Sequence, residues 1–458
     1  MASVTDLSAR ALSELIATRD VSCLEVMQAF LERINALNPD LNALVNLASN
    51  ERCLSLATDA DSALAAGKHH GWLHGIPVAI KDLANAEGFP STYGSPLFAD
   101  LMPSNEDPHV ARMKAAGALV IGKTNVPEWG LGGHTDNALF GLTRNGRDPN
   151  LSAGGSSGGA ATALAGHLLP LADGSDMMGS LRTPAAFQGV VGFRPTPHRV
   201  PIPEEIDPFH LGLVSIGPMA RNVADANALF STMTGVESRS PASPNYSPSQ
   251  NPIRVGWLGN AGGLWPMDDG LLAQCEQALL QLPSKAFSTN PCDPPHPLTE
   301  LWDCWITLRQ HALSSGRPLY DDPDKRSLMG ENWCWEIEQG LTASQSDITA
   351  AQSTRRRWSE ALVTLFERFD VIAAPACQVY PFKAEDGPPR QIASTALDTY
   401  HRWLAVSLPA SLGGLPVISL PISSPSPERT TGIQLMMPAG QDEALLALAA
   451  SIESILGA

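Results

Sequence analysis

The sequence AGGSSGGAATALAGHLLPLADGSDMMGSLRTPAAFQGVVGFRP runs from Ala153 to Pro195 and is the most distinctive part of the chain. It opens with six residues, Gly154–Gly159, that are all glycine or serine, so the backbone there can adopt positive φ angles and approach a ligand closely. The small residues of Ala160–Gly166 follow and are suited to a tightly packed helix. A second polar, glycine-containing turn is predicted over Asp173–Arg182, and it contains two more serines.

Four interpretations of this stretch compete. A phosphate-binding loop requires a lysine after its last glycine, and no lysine follows Gly158-Gly159. A flexible Gly/Ser linker would not lead directly into an apolar helix. Gly154-x-Ser156-x-Gly158 matches the nucleophile elbow of α/β-hydrolases, but that elbow follows a hydrophobic strand, and RNGRDPNLSA before it is polar. The fourth interpretation is a catalytic site with two serines and a base from elsewhere in the chain.

The whole-chain composition is that of an acidic globular protein. Of 458 residues, 43% are hydrophobic and 17% charged, and the net charge of −17 disfavours nucleic acids and anionic membrane surfaces as partners. The seven cysteines include no CxxC pair, so reduced thiols are expected and no metal site is predicted. No apolar stretch is long enough to span a bilayer, and MASVTDLSAR at the start lacks the features of a signal peptide. A soluble, cytoplasmic protein is therefore expected.

Short apolar runs alternate with helical patterns along the chain. A capping box of Ser22 and Glu25 begins a helix that is predicted to end at Asn38-Pro39, and a last helix is predicted over Ala444–Leu456. The runs that predict buried strands are Pro77–Ile80, Ala118–Ile121, Val371–Ala374 and Val417–Leu420. Such alternation predicts an α/β fold with a sheet covered by helices on both faces.

Two proline-rich segments interrupt this pattern. Glu237–Pro252 and Leu282–Pro297 are predicted to be surface connections, because their composition continues neither a helix nor a central strand. Four of the ten tryptophans follow, between positions 302 and 335. We expect most of them in a core and some of them along an access funnel to an apolar site.

Short motifs occur along the chain in a fixed order. They are GIPVAIKD (75–82), GKTNVPE (122–128), FG (140–141), GGSSGG (154–159), GSLR (179–182), GPMAR (217–221), GLP (414–416), SLP (419–421) and GIQ (432–434). In this order they resemble the amidase signature family over most of the chain. The resemblance implies one α/β domain over 1–458, with a central mixed β-sheet sandwiched between layers of α-helices. The catalytic core would span about 60–235 and 365–458, and about 282–357 would form a variable Pro/Trp-rich elaboration.

The same resemblance implies three catalytic residues. Ser180 is the nucleophile, Ser156 the serine that the family holds in a cis peptide bond, and Lys81 the base. A serine hydroxyl needs a base to become a strong nucleophile, and a lysine is a base only when it is neutral, which burial favours. Because a hydroxyl both donates and accepts hydrogen bonds, Ser156 can relay the proton between the other two. The implied reaction proceeds through an acyl-enzyme, and no metal or organic cofactor is implied.

Further roles follow from the same resemblance. The backbone N–H groups of Met177, Met178 and Gly179 are expected to form the oxyanion hole. The family usually has two glycines before the nucleophile, so Met178 predicts a different pocket wall and a different substrate preference. Gly130 and Ser156 are expected to face the substrate, with a plain turn glycine as the alternative for Gly130. The residues expected to support the site are Ser157, Asp176 and Arg182.

The predicted function is hydrolysis of a small, uncharged carboxamide, with anilides and carbamates (urethanes) as further candidate substrates. A homodimer is compatible with this prediction. One alternative is an amidotransferase A-type subunit, which works in a multi-subunit complex. Another is a non-catalytic binding protein on the same fold, which the joint presence of Lys81, Ser156 and Ser180 disfavours.

Overall fold

The computed structural model describes residues 3–203, 207, 209, 211–235 and 252–457. The predicted connection Glu237–Pro252 lies outside these residues apart from Pro252. The α-helices are α1 (Ala9–Thr18), α2 (Cys23–Leu41), α3 (Asn50–Ala65), α4 (Pro108–Ala115), α5 (Gly158–Ala165), α6 (Arg182–Gln188), α7 (Val223–Thr234), α8 (Leu271–Leu280), α9 (Glu300–Leu313), α10 (Arg317–Tyr320), α11 (Pro323–Arg326), α12 (Glu331–Thr342), α13 (Gln345–Arg368), α14 (Leu408–Gly413) and α15 (Asp442–Leu456). The strands are β1 (Leu44–Val45), β2 (Pro77–Lys81), β3 (Leu119–Thr124), β4 (Leu171–Asp176), β5 (Val191–Arg194), β6 (Ser215–Ala220), β7 (Ile253–Trp257), β8 (Phe287–Pro291), β9 (Val371–Pro375), β10 (Gln391–Ile392), β11 (Thr395–Ala396), β12 (Val417–Pro421) and β13 (Gly432–Met436).

The main sheet contains eight strands in the order β4-β6-β5-β12-β13-β9-β7-β8. Neighbouring strands are antiparallel from β4 to β9, and β9, β7 and β8 are parallel, so the sheet is mixed as predicted. A smaller sheet, β1-β3-β2, lies beside it. The two are joined where the backbone N–H of Lys81, at the end of β2, donates to Asp173 Oδ1 on β4 at 2.9 Å.

Helices cover both faces of the main sheet, and two consecutive residues of β5 show this. A Cβ on Gly192 would lie 2.3 Å from the Leu181 carbonyl oxygen and 2.9 Å from the Ala185 Cβ, so α6 packs directly on that face. The next residue, Phe193, packs against Phe230 of α7 with ring centroids 5.1 Å apart. Because successive side chains of a strand point to opposite faces, α6 and α7 lie on opposite sides of the sheet.

Three predicted boundaries are wrong. Helix α2 continues through Pro39 to Leu41, because a proline in the last turn removes only one hydrogen bond and Asn42 caps the end through its N–H to Asn38 O at 2.8 Å. Strand β4 occupies the first part of the predicted polar turn, because partners on other elements satisfy its polar side chains. Strand β8 lies within the predicted connection Leu282–Pro297. Among the described residues its one partner strand is β7, so it is an edge strand, where a proline is tolerated.

The elaboration predicted over 282–357 contains long, packed helices. Helix α9 contacts α12, α13 and α14, and α13 leads directly into strand β9 of the main sheet. Trp305 is fully buried in this packing and Trp333 is 3% exposed. Among the residues described, no helix combines the length and apolarity needed to cross a membrane.

Candidate active site

Lys81 places its side-chain amine among three serine hydroxyls. The residue is 1% exposed, and its Nζ lies 2.9 Å from Ser156 Oγ, 2.8 Å from Ser157 Oγ and 3.0 Å from Ser175 Oγ. A neutral amine has a lone pair that can accept a hydrogen bond, and a hydroxyl can supply that bond. The surroundings of Lys81 can therefore accommodate its neutral form as well as its charged form.

Burial sets the protonation of this lysine. It lowers the pKa of Lys81 from 10.5 to about 7, against the opposing influence of Asp173 and Asp176, whose negative charges raise it. A substantial fraction of Lys81 is then neutral near pH 7, and only the neutral form can take up a proton. This property is the one that a general base requires.

The two predicted catalytic serines lie on adjoining backbone segments. Ser156 follows a cis peptide bond with Gly155. The next residue, Ser157, donates its backbone N–H to the carbonyl oxygen of Ser180 at 3.2 Å. Ser156 and Ser180 are 2% and 8% exposed, and both line the same cavity. The fold thus brings residues that are 75 and 24 positions apart in the sequence into one site.

Close backbone approach explains the glycines that follow the serines. A Cβ on Gly158 would lie 2.2 Å from Thr135 Oγ1, and one on Gly159 would lie 2.3 Å from the Asn125 backbone nitrogen. Helix α5 therefore begins against residues 125 and 135 with no room for side chains. This contact fixes the loop that carries Ser156.

Asp176 holds the turn that carries Ser180. Its fully buried carboxylate accepts two bonds from Arg182, with Nε 3.0 Å from Oδ2 and Nη2 2.9 Å from Oδ1, and Arg194 Nε lies 3.5 Å away. It also accepts the backbone N–H groups of Gly179 at 2.9 Å and Leu181 at 3.1 Å. Burial alone would raise the pKa of Asp176, but the two arginines outweigh it and hold that pKa well below its usual range. The turn is therefore fixed by an ionised carboxylate.

This arrangement changes the predicted oxyanion hole. The N–H of Gly179 already donates to Asp176, so it is not available to a substrate oxygen. Within the described residues, the N–H groups of Met177 and Met178 make no hydrogen bond, and both residues line the cavity. Two of the three predicted donors are thus open. Gly179 is needed for another reason, since its φ of +90° favours glycine.

Gly130 lies on the cavity wall beside Ser156. Its φ is +68°, and an added Cβ would lie 3.1 Å from Ser156 Oγ and 2.8 Å from Leu83 Cδ1. A side chain at this position would therefore push against the serine. The structure places Gly130 at the site, and the role of its carbonyl stays a prediction.

The cavity has a volume of about 240 Å³. Ser156, Ser175 and Ser180 contribute to its lining, and most of its wall is apolar. The apolar wall consists of Leu83, Tyr93, Trp129, Leu131, Met177, Met178, Val214, Ala312, Leu313, Leu319, Trp333 and Leu404. Four of these belong to the predicted elaboration, so this segment forms one side of the cavity.

A polar cluster lies in the wall of this cavity, and no sequence pattern pointed to it. Arg309 donates to Glu336 Oε1 at 2.7 Å and to Tyr400 Oη at 2.8 Å, and its Nη1 lies 3.5 Å from Met177 Sδ. Tyr400 Oη in turn donates to Glu336 Oε1 at 2.8 Å. His401 also lines the cavity. These residues come from three distant segments, so no local motif could have predicted the cluster.

Ser175 was also missed as a contact of Lys81. It lies in β4, and only its sequence position near Ser180 hinted at the site. In the part of the chain that the structure describes, no group of His, Cys, Asp and Glu side chains is arranged to hold a metal ion.

Comparisons with known proteins agree with this architecture. The family model described as Amidase matches residues 25–446. An acylamidase of Rhodococcus erythropolis is 30% identical over 462 residues, covering 98% of this chain and 95% of that protein. The A-type subunit of a glutamyl-tRNA(Gln) amidotransferase from Thermus thermophilus is 33% identical over 476 residues, covering 96% and 95%. The crystal structure of a bacterial aryl acylamidase matches with a TM-score of 0.88 and 26% identity, covering 98% of this chain and 96% of the other.

The chain belongs to the amidase family and is an enzyme that hydrolyses amide bonds. The resemblance inferred from the ordered motifs is confirmed, and so is the predicted α/β fold.

Proposed function

We propose that this enzyme hydrolyses the C–N bond of small, uncharged carboxamides, with Ser180 as nucleophile, Ser156 as proton relay and Lys81 as base. The observation that carries the proposal is the 2.9 Å contact between Lys81 Nζ and Ser156 Oγ beside the cavity that Ser180 lines. A neutral lysine, a hydroxyl that can relay a proton and a nucleophilic hydroxyl are the groups that this reaction needs.

In the proposed reaction, Ser180 Oγ attacks the substrate carbonyl carbon while its proton passes to Ser156 and the Ser156 proton passes to Lys81. The carbonyl oxygen becomes an oxyanion, which the N–H groups of Met177 and Met178 stabilise. When the C–N bond breaks, Lys81 returns its proton through Ser156 to the leaving nitrogen. A water then attacks the acyl-enzyme with the same proton relay and frees Ser180.

The cavity favours aryl amides among these substrates. A cavity of about 150 Å³ lined by apolar side chains is enough to bind benzene, so 240 Å³ offers space for a one-ring compound with a short acyl group. The acylamidase and aryl acylamidase relatives support the same choice. Carbamates and anilides belong to the proposal because they pass through the same type of tetrahedral intermediate.

The alternative function, glutamine hydrolysis in an amidotransferase, fits the cavity less well. A free amino acid carries an ammonium and a carboxylate, and each needs an opposite charge when buried. Arg309 is the one arginine, lysine, aspartate or glutamate among the described lining residues. Its positive charge is already paired with Glu336, because Arg309 Nε lies 2.7 Å from Glu336 Oε1. This neutral cavity favours the hydrolase over the amidotransferase, despite the relative at 33% identity.

Substitution of the three proposed catalytic residues tests the mechanism. Ser180→Ala should abolish labelling by a fluorophosphonate probe, and Ser156→Ala and Lys81→Ala should each lower kcat on an aryl amide by about 10³-fold or more. The double variant should lose far less than the product of both losses, because the two residues act as one relay. Ser419→Ala is the matched control, since this serine is buried and lies outside the cavity lining, and it should keep activity. Full multiplicative loss in the double variant would contradict the relay.

A further inference from the structure

Glu128 ends the motif GKTNVPE, and the proposed mechanism gives it no role. Its half-buried carboxylate accepts two hydrogen bonds from distant parts of the chain. Ser95 Oγ donates to Oε1 at 2.6 Å, and the backbone N–H of Gly330, the N-cap residue of α12, donates to Oε2 at 2.7 Å. The carboxylate therefore joins the loop that follows β3 to the first turn of α12.

The same loop carries two residues of the cavity wall. Trp129 and Gly130 follow Glu128 directly, line the cavity and have φ angles of +52° and +68°. A tryptophan rarely adopts a positive φ, so this conformation must be held by surrounding contacts. The Trp129 N–H donates to the Tyr93 carbonyl oxygen at 2.7 Å, and the two rings stack with centroids 4.5 Å apart. The two hydrogen bonds of Glu128 hold the loop at the residue before Trp129.

Helix α12 brings a second tryptophan to the same wall. Trp333 lies three residues after Gly330, lines the cavity and packs on Trp129 with ring centroids 4.9 Å apart. It belongs to a small apolar cluster that is separate from the main core, and Trp129 packs against this cluster. The buried members of the cluster are Leu131, Met329, Trp333 and Ile337. The hydrogen bonds of Glu128 thus connect the two segments that carry the paired tryptophans.

We propose that Glu128 is a positioning residue that sets the preference for aryl amides, because it holds Trp129 and Trp333 together in the cavity wall. The inference rests on the proposed function, which places the aryl group of the substrate in this cavity. Glu128 itself does not line the cavity, so it acts through the two rings. Aromatic contacts depend on the relative geometry of the rings. A small aliphatic amide makes less contact with this wall and should depend less on Glu128.

Two substitutions of Glu128 test whether its hydrogen bonds set this preference. Glu128→Met keeps the length of the side chain but removes both acceptor oxygens. It should raise KM for an aryl amide about tenfold relative to a small aliphatic amide and keep kcat on both within about threefold, because the wall binds the ring in the ground state and the transition state alike. Glu128→Gln should keep both KM values within about twofold of wild type, since its carbonyl oxygen can accept the Gly330 N–H while its NH₂ group donates to Ser95 Oγ.

Gly330→Ala tests the same contact from the side of α12. The φ of Gly330 is −70°, which alanine adopts without strain, but the new Cβ would lie 2.4 Å from Glu128 Oε2 and must displace the carboxylate. This variant should raise KM for the aryl amide relative to the aliphatic one, as Glu128→Met does. Glu453→Met is the control, because Glu453 is also half-buried and accepts the N–H of Val223, the first residue of α7, at 2.8 Å, outside the cavity lining. It should leave the ratio of the two KM values unchanged.

A double variant separates positioning from a general loss of stability. If Glu128 acts through the paired rings, Glu128→Met combined with Trp333→Leu should reduce the aryl-to-aliphatic ratio of kcat/KM by far less than the product of the two separate losses. A loss that equals this product would show that Glu128 acts independently of Trp333 and would overturn the proposal.

Two other outcomes would also overturn it. One is an unchanged ratio of aryl to aliphatic KM in Gly330→Ala or in a folded Glu128→Met. The other is an equal fall in kcat/KM for both substrates. Gly330→Ala decides the question if Glu128→Met fails to fold. Fluorophosphonate labelling and turnover of the aliphatic amide by the wild-type enzyme separate these results from failure of the proposed function, which would abolish both.

Discussion

If Lys81 is the base, as proposed, the reaction should depend on pH. Burial lowers its pKa to about 7, so the residue is neutral above that value and protonated below it. We expect kcat/KM to fall below about pH 7 with the uptake of one proton and to stay high on the alkaline side. A pH profile on an uncharged amide measures this. An acid limb that persists unchanged in the residual activity of Lys81→Ala would assign the base to another group.

Asp173 is expected to set the pH at which activity falls on the acid side. Its carboxylate accepts the Lys81 backbone N–H at 2.9 Å, lies 3.2 Å from His109 Nε2, and raises the pKa of Lys81. Asp173→Asn keeps an acceptor but removes the charge, so the pKa of Lys81 should fall further. The acid limb should then move to lower pH by about one pH unit. Asp107→Asn is the control, because it also removes a buried carboxyl group but not one in contact with Lys81, and it should leave the acid limb of the pH profile in place. An acid limb that did not move in Asp173→Asn would contradict this electrostatic role of Asp173.

The sequence predicted those site residues that belong to contiguous motifs. Lys81, Ser156 and Ser180, which the structure brings together, were predicted because the residues on either side of each form a recognisable pattern. Arg309 and His401 also line the cavity but were not predicted, because contacts between distant segments place them there. The engagement of the Gly179 N–H by Asp176 was missed for a similar reason, since sequence does not show which of several amides a carboxylate accepts.

At the scale of elements, strand β5 packs through Gly192 against the start of helix α6, next to the turn that carries the proposed nucleophile Ser180. In Gly192→Ala, the new Cβ would lie 2.3 Å from the Leu181 carbonyl oxygen, so the turn after Ser180 must shift. Because a displacement of about 1 Å can cost about 100-fold in rate, we expect a loss in kcat of that order together with a lower Tm.

The matched control is Gly256→Ala on β7, where the Cβ would lie 2.8 Å from the Phe369 side chain. This variant should lower Tm but keep kcat within about twofold. Equal effects of the two substitutions on kcat would show that stability, and not the position of the turn, governs activity. Kinetics and thermal unfolding of both variants give the answer.

Strands that contain a continuous apolar run were predicted from the sequence, whereas the polar strand β4 was not. Strands β2, β3, β9 and β12 each contain the apolar run from which they were predicted, and almost all of their residues are buried. Strand β4 was predicted as a turn because Asp173 and Ser175 are polar, and their partners, His109 and Lys81, come from other elements. Only tertiary contacts make such a strand favourable.

At the scale of the whole molecule, the site combines two parts of the chain. The proposed catalytic residues lie between 81 and 180, and the elaboration supplies Trp333 and other wall residues. We propose that both parts form one domain, since α13 leads from the elaboration directly into the main sheet. The cytoplasmic location and the homodimer stay predictions.

Trp333 tests this division. It packs on Trp129 with ring centroids 4.9 Å apart and lines the cavity. Trp333→Leu should lower kcat/KM for an aryl amide about tenfold relative to a small aliphatic amide, or about 1.4 kcal/mol, because aromatic contact area is lost. Labelling of Ser180 should persist. Trp257→Leu on β7 is the control, because Trp257 does not line the cavity, and it should leave the ratio of aryl to aliphatic turnover unchanged. An equal fall in kcat/KM for both substrates in Trp333→Leu would contradict the role of Trp333 as a substrate wall.

The bonds among Arg309, Glu336 and Tyr400 have a consequence for recombination with related enzymes. Exchanging residues 282–357 as a cassette would transfer the part of the cavity wall that this segment supplies, but the crossover would separate Arg309 and Glu336 from Tyr400, which bonds to both. A chimera built with that single cassette would leave mismatched polar groups in the cavity. A productive library therefore needs a second, short cassette around residue 400, inherited from the same parent as the first.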